Sequence, residues 1–358
     1  MTNSQTPPPA RIWQFIDSSG VGGAERHIAT LAEGLRRLSH PVRVVLLADH
    51  GSNPWLEQLR AADIGYTHLD GRFATLLKAL TSAPPKLLHT HGYKAGILGR
   101  LAARLARVPV VSTFHSGERG AFPVGVYDFA DDWTSFLGRR IAVSARIRDR
   151  LPFGAHLIPS YVATPPEPPS APLPGAVGFA GRLSVEKGPD LYCELAVRAA
   201  ADPRFGSVEW HMWGDGPMRH DLEARYGSHV QFHGVATDME NVWPRVGVLA
   251  MPSRFEGVPL AALEAAAHGI PVLASRVGGL PTVVTEGETG WLFAAADLDG
   301  ALDGLSAWQT LRRTAPAALR RACWEKARTE FSEARWLPAV VAVYEEAGYH
   351  VCPAQTDR

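Results

Sequence analysis

Two glutamates in an E-x7-E spacing, Glu256 and Glu264, stand in the segment VGVLAMPSRFEGVPLAALEAAAHGIPVLAS, which reads as strand, loop, helix and strand. An ionised carboxylate only accepts hydrogen bonds, so the pair suits hydroxyl binding, with Glu264 about a turn into the helix for a ribose and Glu256 in the loop for a sugar. Pro259 suits the first helical turn, because it lacks an N–H and its φ is already helical. The N–H groups around Leu260 and Ala261 then face the loop and, with the helix dipole, offer a phosphate site. One helix end would hold both ends of a nucleotide sugar.

The segment GFAGRLSVEKG places Arg182 after a strand and Lys187 before a helix. Fixed cations there would stabilise negative charge growing on a leaving phosphate oxygen. They also remove the need for a metal to neutralise a diphosphate. The one D-x-D, Asp297-Leu298-Asp299, begins a late helical segment and reads as a helix cap. In the first half, Gly20-Val21-Gly22-Gly23-Ala24-Glu25 lies between a strand and a helix, where small residues let backbone approach a ligand. Glu25 occupies the third glycine position of the dinucleotide fingerprint, which disfavours a nicotinamide site. His115 ends the strand pattern VPVVSTFH, and His89 and His91 form an H-x-H at another strand end. These three histidines would suit a metal-dependent hydrolase. The competing reading has His91, Tyr93 and Lys94 line an acceptor site. Ser144 reads as the cap of the helix that follows it.

In the second half, GFAGRLSVEKGPD, WHMWGDGP, VQFHGV, MPSRFEGVPLAALEAAAHGIPVLAS and GETGWLF occur in the order found in the family 4 retaining glycosyltransferases, which residues 177 to 293 resemble. The resemblance implies the GT-B fold, an α/β architecture of two doubly wound Rossmann-like parallel-sheet domains facing a central cleft. It implies a donor site of Gly22, Gly23, Arg182, Lys187, Glu256, Leu260, Ala261 and Glu264. Arg182 and Lys187 would act on the pyrophosphate, and His115 would stand beside the transferred sugar, completing a catalytic set with Glu256. The implied reaction moves a sugar, with retention, from a nucleotide diphosphate sugar to an acceptor hydroxyl. Uridine diphosphate is the first choice of nucleotide. The acceptor would be a carbohydrate or lipid-linked, as in polysaccharide, lipopolysaccharide or glycolipid synthesis, and no cofactor is expected. A nucleotide-sugar epimerase or hydrolase of the same fold is the alternative. The chain departs from the family at Ser160-Tyr161, where many members have Asn-Gly, and at Thr282, where a Glu often follows Leu-Pro.

Positioning these residues requires elements in βαβ order. Runs such as RIWQFI, VRVVLLA, KLLHT and VPVVSTF alternate with AERHIATLAEGLRRL and AGILGRLAARLA, the pattern of a parallel sheet covered by helices. The pattern stops at a Pro-rich stretch and restarts with AVGFAG. The expected organisation is an arm over 1–10, an acceptor-side domain over 11–160, a linker over 161–175, a donor domain over 176–330, and a C-terminal helix over 331–358 that returns to the first domain. Three scattered cysteines, Cys193, Cys323 and Cys352, argue for reduced thiols. No apolar run is long enough to span a membrane and no secretion signal is present, so a cytoplasmic protein is expected. The net charge is zero, yet residues 1–165 hold 19 basic and 12 acidic residues while the remainder hold 17 and 24. The basic half suggests an anionic acceptor or contact with an anionic membrane face; nothing suggests nucleic acid.

Overall fold

The computed structural model describes residues 11–115, 124–236 and 238–350, with backbone only at 124. The expected arm over 1–10 and Cys352 lie outside these residues. The chain divides into two compact units, one formed by Met1–Ser160 with Glu333–Arg358 and the other by Tyr161–Ser332.

In the first unit, strands β1 (Ile12–Ile16), β2 (Val42–Leu46), β3 (Tyr66–His68), β4 (Leu87–His91), β5 (Val110–Phe114), β6 (Arg139–Ala142) and β7 (His156–Leu157) alternate with helices. The helices are α1 (Gly23–Arg37), α2 (Trp55–Ala61), α3 (Phe73–Ser82), α4 (Tyr93–Ala106), α5 (Val124–Thr134) and α6 (Ala145–Arg150). The strands pair in parallel in the order β3-β2-β1-β4-β5-β6-β7. β4 and β5 are buried at every position, as expected of strands covered on both faces. Phe15, Val45, Leu76, Leu80 and Leu88 lie in one apolar cluster of this unit. The Ser144 hydroxyl accepts from the Ile147 N–H and caps α6.

The second unit holds β8 (Ala176–Ala180), α7 (Pro189–Ala200), β9 (Glu209–Trp213), α8 (Arg219–Tyr226), β10 (Gln231–Gly234), β11 (Val248–Met251), α9 (Leu260–Ala267), β12 (Val272–Ser275), α10 (Leu280–Val283), β13 (Gly290–Phe293), α11 (Leu298–Thr314) and α12 (Pro316–Glu330). Its parallel sheet runs β10-β9-β8-β11-β12-β13. Two apolar clusters lie in this unit, one around Tyr192, Trp210 and Trp308 and the other around Leu249, Leu263 and Val272. Asp297 accepts from the Gly300 N–H and caps α11.

The Pro-rich stretch over 161–175 is part of the second unit and not a free linker. Tyr161 is fully buried, Val162 donates to the Phe331 carbonyl at 2.9 Å, and Leu173 joins the core. Its apolar residues and the Pro165 carbonyl, which accepts from the Trp324 indole, find partners that outweigh the prolines. The last helix, α13 (Glu333–Glu346), rejoins the first unit and packs on α1. No helix among the described residues is long and apolar enough to cross a membrane. Cys193 and Cys323 are buried free thiols, and burial raises both to about 12.

Candidate active site

Strand order reverses direction between β8 and β11 in the second unit, and open α/β sheets bind ligands outside the strand carboxyl ends at such a point. Lys187 follows β8 and Glu256 follows β11. The Lys187 ammonium donates to both carboxylate oxygens of Glu256, at 2.7 Å each, and the Ser253 hydroxyl donates to Oε1 at 3.0 Å. Glu256 is nearly sealed, with 3% of its side chain exposed, whereas Lys187 keeps 30%. The sealed partner fixes the geometry, and the lysine leaves donor capacity at the surface.

The backbone explains how two loops come so close. Gly188 has φ of +65°, and a Cβ there would lie 2.1 Å from the Pro252 carbonyl oxygen. Gly278, at φ +55°, similarly presses against the Glu256 carbonyl, where a Cβ would sit at 1.8 Å. Only glycine combines that conformation with that approach. A second clamp ties the same loops: Arg254 donates to both carboxylate oxygens of Asp190, at 2.8 and 2.6 Å. Arg182 lies two residues beyond β8 with its side chain exposed, close enough to help hold the Glu186 carboxyl below its ordinary range, although the Ser184 hydroxyl does most of that.

Pro259 is the cap residue of α9, with extended backbone, and not a first-turn residue. The N–H groups of Leu260 and Ala261 open the helix and have no acceptor within it. Glu264 lies one turn further on, half-buried, and its carbonyl accepts from the ring of His268. The structure thus joins Lys187 directly to Glu256 and sets Arg182, Leu260, Ala261 and Glu264 on the same carboxyl edge of the sheet. The exposed Thr282 hydroxyl turns back on the Gly279 carbonyl at 2.7 Å.

In the first unit the reversal falls between β1 and β4. Gly22 caps α1 and Gly23 opens it, while Glu25 folds back to accept from the Ser18 hydroxyl at 2.7 Å. Beside them, at the ends of β4 and β5, a chain of polar groups runs inward from His115. His115 Nε2 lies 3.0 Å from His91 Nδ1, and His91 Nε2 lies 2.8 Å from Gln14 Oε1. The Gln14 amide donates to the Tyr344 hydroxyl at 3.1 Å. His89 completes the chain, 2.7 Å from Tyr344 and 2.7 Å from Thr113. With the Gln14 amide so oriented, each tautomer follows. His91 donates from Nε2 and accepts at Nδ1, so His115 donates from Nε2 and keeps its Nδ1 lone pair. Burial lowers the His27 ring to about 4 and holds His89, His91 and His115 well below the ordinary range. All four rings are therefore neutral at pH 7.

Two sequence expectations change here. His91 is buried with both nitrogens engaged, so it braces His115 and cannot line an acceptor site. His89 likewise has both nitrogens committed and stands apart from the metal-like grouping. Among the described residues that grouping is His27, His91 and His115, whose ligand atoms lie within 4.8 Å of one another. Binding an ion there would require breaking the His91–His115 bond or the His91–Gln14 bond. Tyr93 and Lys94 do reach the surface, Tyr93 stacked on Tyr127 and Lys94 paired with Asp17 at 2.8 Å.

Sequence reasoning missed His27, Gln14, Tyr344 and the Arg254–Asp190 clamp. Gln14 carried a signal, being a polar residue inside the apolar strand IWQFI, and His27 falls on the apolar face of α1 with Ile28, Leu31 and Leu35.

Residues 21–155 match the family described as Glycosyltransferase Family 4, and residues 174–308 match Glycosyl transferases group 1. The UDP-Gal:alpha-D-GlcNAc-diphosphoundecaprenol alpha-1,3-galactosyltransferase of Escherichia coli is 29% identical over 266 residues, 64% of this chain and 68% of that protein. The D-inositol 3-phosphate glycosyltransferase of Mycolicibacterium smegmatis is 32% identical over 179 residues, 48% of this chain and 40% of that protein, so the match spans less than half of this relative. The crystal structure of Anabaena Alr3699/HepE in complex with UDP and glucose shares the fold, with a TM-score of 0.77 at 19% identity over 94% of this chain and 99% of the other.

Proposed function

Because the chain belongs to the family 4 glycosyltransferases of the GT-B fold, we propose that it moves a sugar from a uridine diphosphate sugar to an acceptor hydroxyl with retention of configuration. The observation that carries this reading is the Lys187–Glu256 pair beside the open N-terminus of α9. A diphosphate meets cations at Lys187 and Arg182 and N–H donors at Leu260 and Ala261. Glu264 accepts from ribose hydroxyls, and Glu256 holds the Lys187 ammonium in place for the diphosphate. The choice of uridine is supported by the donor named for the Escherichia coli relative and by the UDP bound to the Anabaena protein.

In this mechanism the acceptor oxygen attacks the anomeric carbon on the face from which the phosphate leaves. The glycosidic C–O bond breaks, its electron pair stays on the phosphate, and that oxygen takes the hydroxyl proton. Lys187 and Arg182 stabilise the charge as it grows, without a metal or cofactor. The acceptor is a carbohydrate or lipid-linked glycan.

Two measurements test the reading. A uridine diphosphate at 100 times its dissociation constant should add about 2.7 kcal/mol to the second unit's stability, read as a rise in thermal midpoint. Lys187→Ala should slow transfer on the order of 10²-fold or more, and Glu256→Gln should do likewise while preserving the fold. Full activity in either folded variant, or no response to any nucleotide diphosphate, overturns the assignment.

A further inference from the structure

We propose that α5 and the turn after it form a docking surface for an anionic lipid bilayer. A helix on a protein surface ordinarily turns its apolar stripe inward and its charges outward. α5 does the reverse. Val126, Phe129 and Trp133, with Phe136 in the following turn Ser135–Leu137, recur at intervals of three and four residues and are 51–60% exposed. Phe153 joins them, its ring 6.0 Å from Trp133 and 5.7 Å from Phe136, so the aromatics form one patch.

The charges of α5 lie on the other side. Asp128, Asp131 and Asp132 are buried. The Arg100 guanidinium, itself fully buried, donates to Asp131 at 2.5 Å and also to the Thr134 hydroxyl, and Arg150 donates to Asp132 at 3.1 Å. Gly96 of α4 makes room for this pairing, since a Cβ there would meet Asp131 Oδ1 at 2.4 Å. The inversion is therefore built into the packing of α4 on α5.

Contiguous apolar patches of this kind mark interaction sites, and the surrounding charge selects the partner. With three acids turned inside, Asp149 is the one exposed acidic residue between positions 124 and 157, whereas Arg139 and Arg146 are exposed. The neighbouring helix α4 adds exposed Leu101, Arg104 and Leu105, followed by exposed Arg107. Aromatic rings set among arginines fit an interface of acyl chains and anionic headgroups. The Tyr93–Tyr127 stack ties the patch to the residues just after His91. On the transfer reading above, on which this last point rests, a lipid-linked acceptor would arrive at that edge.

The test is sedimentation of the full chain with vesicles, either of phosphatidylcholine alone or of equal parts phosphatidylcholine and phosphatidylglycerol. The wild-type chain should sediment with the mixed vesicles and far less with the neutral ones. The triple substitution Phe129→Ser, Trp133→Ser and Phe136→Ser should abolish that binding while leaving thermal unfolding and transfer to a water-soluble acceptor unchanged. Arg104→Glu with Arg107→Glu should weaken it about tenfold or more and keeps the proposal testable if the triple variant misfolds. Equal binding to neutral vesicles, undiminished binding by both variants, or a patch-dependent dimer that binds no vesicles would each overturn the proposal. Patch-dependent vesicle binding by a chain that transfers no sugar would leave it standing and reject the enzymatic reading instead.

Discussion

At the scale of single residues, the first unit depends on keeping histidines uncharged. His27 titrates at about 4 in the folded chain because burial penalises its cation, against about 6.5 when exposed. The unfolded chain therefore binds the proton first as pH falls. The stability this group contributes is fully present above pH 6.5 and is lost between about 6.5 and 4, on the order of 3 kcal/mol from His27 alone. His89, His91 and His115 are shifted in the same direction and add to the slope. Urea unfolding followed across this range should show the first unit weakening steeply, with a shallower slope in His27→Gln. A flat profile would mean that these rings are already solvated. The sequence pointed to His115, Lys187 and Glu256 because each stands at a strand end or in a motif loop. Tyr344 was not legible, since a contact between residues more than 300 positions apart leaves no local pattern; the link from Gln14 to Tyr344 spans 330.

Whole elements were easier to read than the contacts between them. Near-continuous apolar strands separated by amphipathic helices announced two parallel sheets, and Ser144 and Asp297 capped helices as their side chains suggested. The Pro-rich stretch misled because proline content reports local stiffness and says nothing of the partners available to Tyr161 and Leu173. The inverted face of α5 was equally hidden, since its stripe has an ordinary helical period and partners such as Arg100 and Arg150, distant in sequence, help decide which side faces in. Loop juxtaposition gives a prediction at this scale. Gly188→Ala must place a Cβ where the Pro252 carbonyl stands and hold a left-handed conformation, costing about 1–2 kcal/mol for the backbone alone. It should push the Lys187 loop off Glu256, so that the thermal midpoint falls and the response to uridine diphosphate is lost. An unchanged nucleotide response would show that the close approach is dispensable.

For the molecule as a whole, the chain enters the second unit after Ser160 and leaves it after Ser332, so the second unit is continuous and the first is assembled from both ends of the sequence. A chain truncated after Ser332 should keep a folded second unit that is still stabilised by uridine diphosphate. It should lose the cooperative transition of the first unit, because α13 and the Tyr344 hydroxyl are gone. Calorimetry showing both transitions intact would refute this dependence. The return of α13 also sets an order of events during synthesis. The part of the first unit up to Ser160 cannot complete its fold until Glu333 and the rest of α13 have been added, and by then the continuous second unit has had time to form. The first unit thus waits with an unpaired face on α1 for as long as it takes to translate the second. Any slowing of translation between positions 161 and 332 prolongs its exposure to chaperones and proteases.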